Sequence, residues 1–204
     1  MAIVQHPKRS PDIPALLAML ERFGVQYVLV GSVAALAYGV DIGQAGDLDI
    51  TPALDYENLS QLGLLLQEIE AGLDPEGAFG HWETQPDGER RWITDEAMPE
   101  RQAERANWRP NPADASTFDS IFCTRLGNFD IVPDLSGAYE TLIQRAISMS
   151  AWGYDIHVVH IDELLAALTA PRRSKDVSRV RQLRNIQRQR GENAGTKAGD
   201  VEST

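Results

Sequence analysis

Cysteine is nearly absent from this chain. Cys123 stands alone, which excludes an intramolecular disulfide and a cysteine-built zinc site, and its place in a β-rich run predicts a small buried hydrophobe. Long apolar runs are missing as well. No stretch is long enough to span a bilayer, and Met1–Arg9 carries no apolar signal segment, so a cytoplasmic protein without a membrane partner is expected. Histidine offers no metal site either: His157 and His160 lie an odd number apart on a predicted strand and so face opposite ways, and His81 beside Trp82 has no visible partner. Positive charge is scarce, with 19 Lys and Arg against 30 Asp and Glu and a net charge of −11, which disfavours indiscriminate nucleic-acid binding. The scarcity is uneven. Between Arg172 and Arg190 eight cations face one acid, Asp176, whereas residues 1–171 carry twenty-six acids and ten cations.

What is present is organised around aspartate. In Gly46-Asp47-Leu48-Asp49-Ile50 the two acids are two apart, and on a strand such side chains point the same way while Leu48 and Ile50 enter the core. Two hard oxygen ligands on one face suit Mg²⁺. Ahead of them, Tyr27–Val30 reads as a buried strand, Gly31-Ser32 as a sharp turn and Val33–Tyr38 as a helix ending at Gly39. A glycine-opened helix start points free N–H groups at whatever sits there, and the Ser32 hydroxyl adds a donor, so this turn is a phosphate cradle in expectation. A third acid, Asp130, stands mid-strand between Phe129 and Ile131, where an uncompensated charge is costly and a bound metal ion would supply the reason for it. Gly127-Asn128 reads as the two-residue turn of the hairpin joining Ser120–Leu126 to Phe129–Val132. Three aspartates on neighbouring strands beside a phosphate turn would serve two-metal phosphoryl or nucleotidyl transfer.

Length and pattern place one domain over residues 1–190. A helix capped at Ser10-Pro11-Asp12 and closed by Gly24, a second from Tyr56 to Ala71, a third from about Ala138 to Ser148 and a strand over Tyr154–Ile161 predict an α/β (α+β) fold, a mixed sheet flanked by helices. Residues 72–117, rich in Pro and Gly and holding Trp82, Trp92 and Trp108, read as a long insertion or a lid over the cleft, where Arg90, Arg91 or Trp92 would meet the substrate. Residues 162–190 read as C-terminal helices: an acid-capped start at Asp162-Glu163, a break at Pro171, and a last helix with Asp176 as N-cap and Val177, Val180, Leu183 and Ile186 as its apolar stripe. Its arginines Arg179, Arg181, Arg184 and Arg188 form a basic face suited to an RNA backbone. Asp134, next to Pro133, reads as a turn residue, and residues 191–204 have the composition of a disordered tail.

The ordered set Val30-Gly31-Ser32, Gly46-Asp47-Leu48-Asp49-Ile50, Phe129-Asp130-Ile131-Val132-Pro133-Asp134 and Arg173-Ser174-Lys175-Asp176-Val177 resembles the DNA-polymerase-β-like nucleotidyltransferase superfamily, and within it the small AbiEii-type toxins of toxin–antitoxin systems. The resemblance covers about Asp12 to Arg188. It implies Gly31 and Ser32 at the nucleotide phosphates and Asp47, Asp49 and Asp130 as ligands of two Mg²⁺ ions. In place of basic residues that the family carries before the paired acids and before the Arg173–Val177 run, Lys175, Arg173 and Arg172 are the cations available to bind the nucleotide. The implied reaction moves a nucleoside monophosphate from a nucleoside triphosphate to a hydroxyl. The resemblance also implies a tRNA 3′ end as acceptor and a cognate antitoxin as partner. A small-molecule acceptor of the aminoglycoside type, a protein hydroxyl, and a chain that only binds nucleotide or RNA stay open as alternatives.

Overall fold

The computed structural model describes residues 6–74, 80–86, 90–94, 108–134, 136–168 and 174–199, with backbone alone at 80–84, 90–94, 174–175 and 191–199. The chain opens with α1 (Ile13–Arg22), whose N-terminus is capped by the Asp12 carboxylate and whose Leu16, Leu17 and Leu20 are buried. Burying a leucine stabilises by about 1.5–3 kcal/mol, so this one face is enough to dock the helix. Then come β1 (Tyr27–Val30), α2 (Gly31–Ala37), β2 (Leu48–Pro52) and α3 (Tyr56–Glu68), followed by β3 (Gly72–Leu73) and the hairpin β4 (Gly80–Thr84) and β5 (Arg90–Thr94). After a 3₁₀ turn (Ala115–Thr117) follow β6 (Ser120–Thr124), β7 (Gly127–Ile131), α4 (Tyr139–Leu142), β8 (Ile147–Ala151), β9 (Tyr154–Val158), α5 (Ile161–Ala167) and α6 (Ser174–Gly199).

Seven strands form one mixed sheet in the order β3-β6-β7-β2-β1-β9-β8, and β4-β5 forms a separate ribbon. This is the mixed α/β architecture expected from the sequence. Pairing is antiparallel for β1 with β2 and parallel for β2 with β7 and for β1 with β9. Strands β2 and β7 are buried along their whole length and β1 from Val28 on, with Val28, Leu29, Val30, Leu48, Ile50, Phe129 and Ile131 all at 0% exposure. Buried Asn58 ties α3 to the strand ends: its amide nitrogen donates to the Gln26 and Ala53 carbonyls at 3.0 and 2.8 Å, and its oxygen accepts from the Gln26 N–H at 2.7 Å.

Several local expectations change. The hairpin turns at Arg125-Leu126, two residues earlier than expected, because Gly127 already pairs with Thr124 inside the ladder. Gly127 is required for a different reason: at φ +99° a Cβ there would lie 2.3 Å from the Ser10 carbonyl oxygen. The helix expected over 138–148 shrinks to Tyr139–Leu142, and Ile147–Ala151 is a strand paired with β9. Its Ile147, Met149 and Ala151 alternate with serines, and Trp152-Gly153, both at positive φ, close a tight hairpin that matches strand twist. His160 is the N-cap of α5, not a strand residue. Asp176 lies in the first turn of α6 and is itself buried, so it is not the N-cap, while Val177 is 59% exposed and falls off the apolar stripe. The backbone stays helical to Gly199, through part of the stretch where composition predicts disorder. Glu192, Ala194, Lys197 and Ala198 are good helix formers, and extending an existing helix needs no new nucleus.

Both ends of the 72–117 stretch belong to the core. Gly72–Leu73 adds an edge strand beside β6, and Trp108 packs on Phe122 with ring centroids 5.0 Å apart while its indole N–H donates to the Thr117 carbonyl. Between them, the side chains of Arg90, Arg91 and Trp92 lie outside the described residues, and so does any contact of theirs with the cleft.

Candidate active site

Strand direction assembles the site. Because β2 runs antiparallel to β1, the start of β2 returns to the end of β1, placing Asp49 opposite Val30 and next to the Gly31-Ser32 turn. Because β7 runs parallel to β2, Asp130 is the direct cross-strand partner of Asp49. Partners in register share a face of the sheet, and Asp47, two residues before Asp49, shares it as well. Asp47, Asp49 and Asp130 thus come together, each offering a carboxylate oxygen within 4.8 Å of the others.

Water is largely excluded from two of the three, Asp49 at 9% and Asp130 at 6% exposure. Burial, reinforced by the Asp47 charge, pushes the Asp49 carboxyl up to about 7, against the Ser32 backbone hydrogen bond and the Arg179 charge, which pull it down. Asp130 rises further, to about 9, through burial and the charges of Asp49, Asp47 and Asp74, with Lys8 opposing. Lys8 Nζ itself donates to Asp74 Oδ2 at 2.7 Å. One oxygen of Asp130, Oδ1, is buried without a hydrogen-bond partner. Such a group costs about 1–3 kcal/mol, more if charged. An all-oxygen donor set, crowded negative charge and an orphaned carboxylate oxygen fit a hard divalent cation. The three acids can therefore hold a metal ion.

The turn beside them is built to let the acids approach. Gly31 has φ +65°, and a Cβ there would fall 2.0 Å from Asp49 Oδ2. The Ser32 backbone N–H lies near enough to Asp49 to lower its proton affinity, and the Ser32 Oγ donates to Asp47 Oδ1 at 3.4 Å. A residue that motif reading missed, Asn128, sets the approach to the pair. Its side chain donates to the Gly46 carbonyl at 3.0 Å and accepts from the Arg9 N–H at 3.1 Å, anchoring the segment that leads into Asp47. Its spacing of two from Asp130 puts it on the same face of β7, and that spacing is the signal by which it could have been found.

The C-terminal basic residues do not act as one group. Arg179 is partly buried and close enough to Asp49 to lower its proton affinity. Arg181, Arg184 and Arg188 are exposed on the other side of α6, where with Leu165, Leu168 and Val180 they line a groove of about 440 Å³. The Lys175 side chain and all of Arg173 lie outside the described residues. Asp134 sits in a turn after β7, as expected.

No protein-family model matches the sequence. No curated protein matches it either. Among solved structures the chain is similar to an antigenic nucleotidyltransferase-like protein from Paracoccidioides brasiliensis, at 12% identity and a TM-score of 0.44, over 84% of this chain and 72% of that one.

Proposed function

We propose that this chain is a Mg²⁺-dependent nucleotidyltransferase. The observation that carries the reading is the convergence of Asp47, Asp49 and Asp130 within 4.8 Å on adjacent strands, with Asp130 Oδ1 buried and unpartnered. Asp47, Asp49 and Asp130 would hold the divalent cations, which when bound neutralise phosphate charge and acidify an oxygen.

The remaining chemistry belongs to the chain. An acceptor hydroxyl attacks the α-phosphorus, an O–P bond forms, the bond to the β-phosphate oxygen breaks, and pyrophosphate leaves. Asp130, which would be ionised with the cations bound, accepts the hydroxyl proton. Gly31 keeps the turn low enough for the triphosphate to lie against Asp49, and Ser32, already directed at both paired acids, orients them and meets the phosphates.

The acceptor in this reading is an RNA 3′ end, a tRNA above all, and a toxin role with a cognate antitoxin partner follows from the motif resemblance. The acidic bulk of the chain repels a long nucleic acid and admits a short terminus, while Arg181, Arg184 and Arg188 offer the backbone of that RNA an exposed basic face. The test is transfer of α-phosphate label from each of the four nucleoside triphosphates, with Mg²⁺, to total tRNA, an aminoglycoside and a carrier protein. Label reaching an acceptor with wild type but not with Asp49→Asn supports the reading. Label in none of the three, or equal label with Asp49→Asn, rejects it.

A further inference from the structure

Three acids concentrate negative charge in one largely buried place, and a nucleoside triphosphate would bring several more charges to it. Divalent cations offset part of this, and the chain has to supply the rest. The segment leading into the acids, Gly43-Gln44-Ala45-Gly46, contains no cation. Among the described residues two cations act on the buried acids, Lys8 on Asp130 and Arg179 on Asp49. Lys8 is held by Asp74. Arg179 makes no hydrogen bond or ion pair among the described residues.

The orientation of Arg179 is determined by how α6 docks. At 100° per residue, Asp176, Arg179, Leu183 and Arg190 fall within about 60° of one another on the helix, whereas Arg181, Arg184 and Arg188 lie roughly 140° or more from Arg179. Asp176 and Leu183 are buried, at 3% and 0% exposure, so this is the docked side. Gln182 locks the roll, accepting the Asp41 N–H at 2.9 Å and donating to the Asp41 carbonyl at 3.2 Å, and the Arg190 guanidinium lies 4.7 Å from the centre of the Tyr38 ring. Holding a guanidinium half out of water with no carboxylate hydrogen-bonded to it among the described residues costs stability, and its planar fork matches two phosphate oxygens at once.

Resting on the nucleotidyl-transfer reading, we infer that Arg179 is the triphosphate-binding cation of this site, contacting the β- and γ-phosphates and the departing pyrophosphate rather than the acceptor. In this role it acts on the leaving-group side, opposite the hydroxyl that Asp130 deprotonates, and it differs in function from the three arginines on the outer face of its own helix.

The experiment is calorimetric titration of the full chain, with Mg²⁺ and no acceptor, by α,β-methylene triphosphate analogues of the four nucleosides and by the matching monophosphates. Arg179→Ala should weaken the triphosphate analogue about tenfold or more and the monophosphate by less than about threefold, with Arg179→Lys in between because charge survives and the fork does not. Equal losses for tri- and monophosphate, or a loss that emerges only when RNA is added, overturn the assignment to Arg179. Wild type binding that Arg179→Ala leaves intact overturns the assignment while sparing the enzyme reading. A wild type that binds none of the analogues overturns the enzyme reading, and this inference with it. Unchanged melting temperature in Arg179→Lys guards against a folding artefact.

Discussion

The two sides of α6 carry the same residue type in opposite circumstances. On the docked side Arg179 is partly withdrawn from water and its field reaches Asp49, so its position matters to the protonation of a buried acid. On the outer side Arg181, Arg184 and Arg188 stand in solvent over a shallow apolar groove, where salt screens them and neighbours compete for little. The lesson is that a run of basic residues is not a functional unit. Burial decides how much each charge is worth, and helix roll decides which one is buried.

The largest effects should come from the buried side. Asp130→Asn removes a metal ligand and the proton acceptor together, so label transfer should fall to background while the metal-free protein melts at the same temperature or higher, because like-charge repulsion is relieved. Retained turnover would dissolve the contrast between the two sides. Gly31→Ala comes next. With φ at +65° and a Cβ 2.0 Å from Asp49 Oδ2, it should destabilise by about 2–4 kcal/mol in urea unfolding, since the opposing atom sits on a short, packed side chain. A loss below the measurement error would mean that the turn yields freely.

A pH series sharpens the comparison further. Both Asp49 and Asp130 have folded-state values above their unfolded ones, so the stability they contribute is fully present below about 4 and is lost as the pH rises through about 7 and then about 9. Melting temperature in chelator should therefore decline across that window. Mg²⁺ should restore it at the alkaline end, and Asp130→Asn should flatten its upper part. The triple change Arg181→Ala, Arg184→Ala and Arg188→Ala should leave this slope untouched.

The smallest effects per residue belong to the outer side. In that triple variant the salt slope of RNA binding should fall by roughly one unit or less per arginine, about two to three in total, while triphosphate-analogue affinity holds. Identical slopes in variant and wild type would remove RNA from the outer face and leave the groove to a protein or small-molecule acceptor.

Much of the site can be read along the chain because its signals are local. Alternation places Asp47 and Asp49 on one face, the apolar neighbours Phe129 and Ile131 mark Asp130 as a charge with a reason, and the Asp12 cap marks a helix start. Each rests on a residue and its nearest neighbours, which are the same in the chain as in the fold. What the chain does not carry by itself is register and roll. Asp130 meets Asp49 only because β7 lies parallel to β2 in one particular alignment, held by Asn128 reaching to Gly46 and Arg9 and by Thr51 Oγ1 donating to the Val132 carbonyl at 2.9 Å. The expected helix stops short of Ile147 because β9 offers an edge on which the alternating Ile147–Ala151 run can pair. Arg179 parts from its neighbours because Leu183 is buried and Gln182 grips the backbone of Asp41, contacts made with residues far away in the chain. Local chemistry is written in the order of residues, but which distant groups share a desolvated space depends on packing, and only that packing turns three separate aspartates and one arginine into a site.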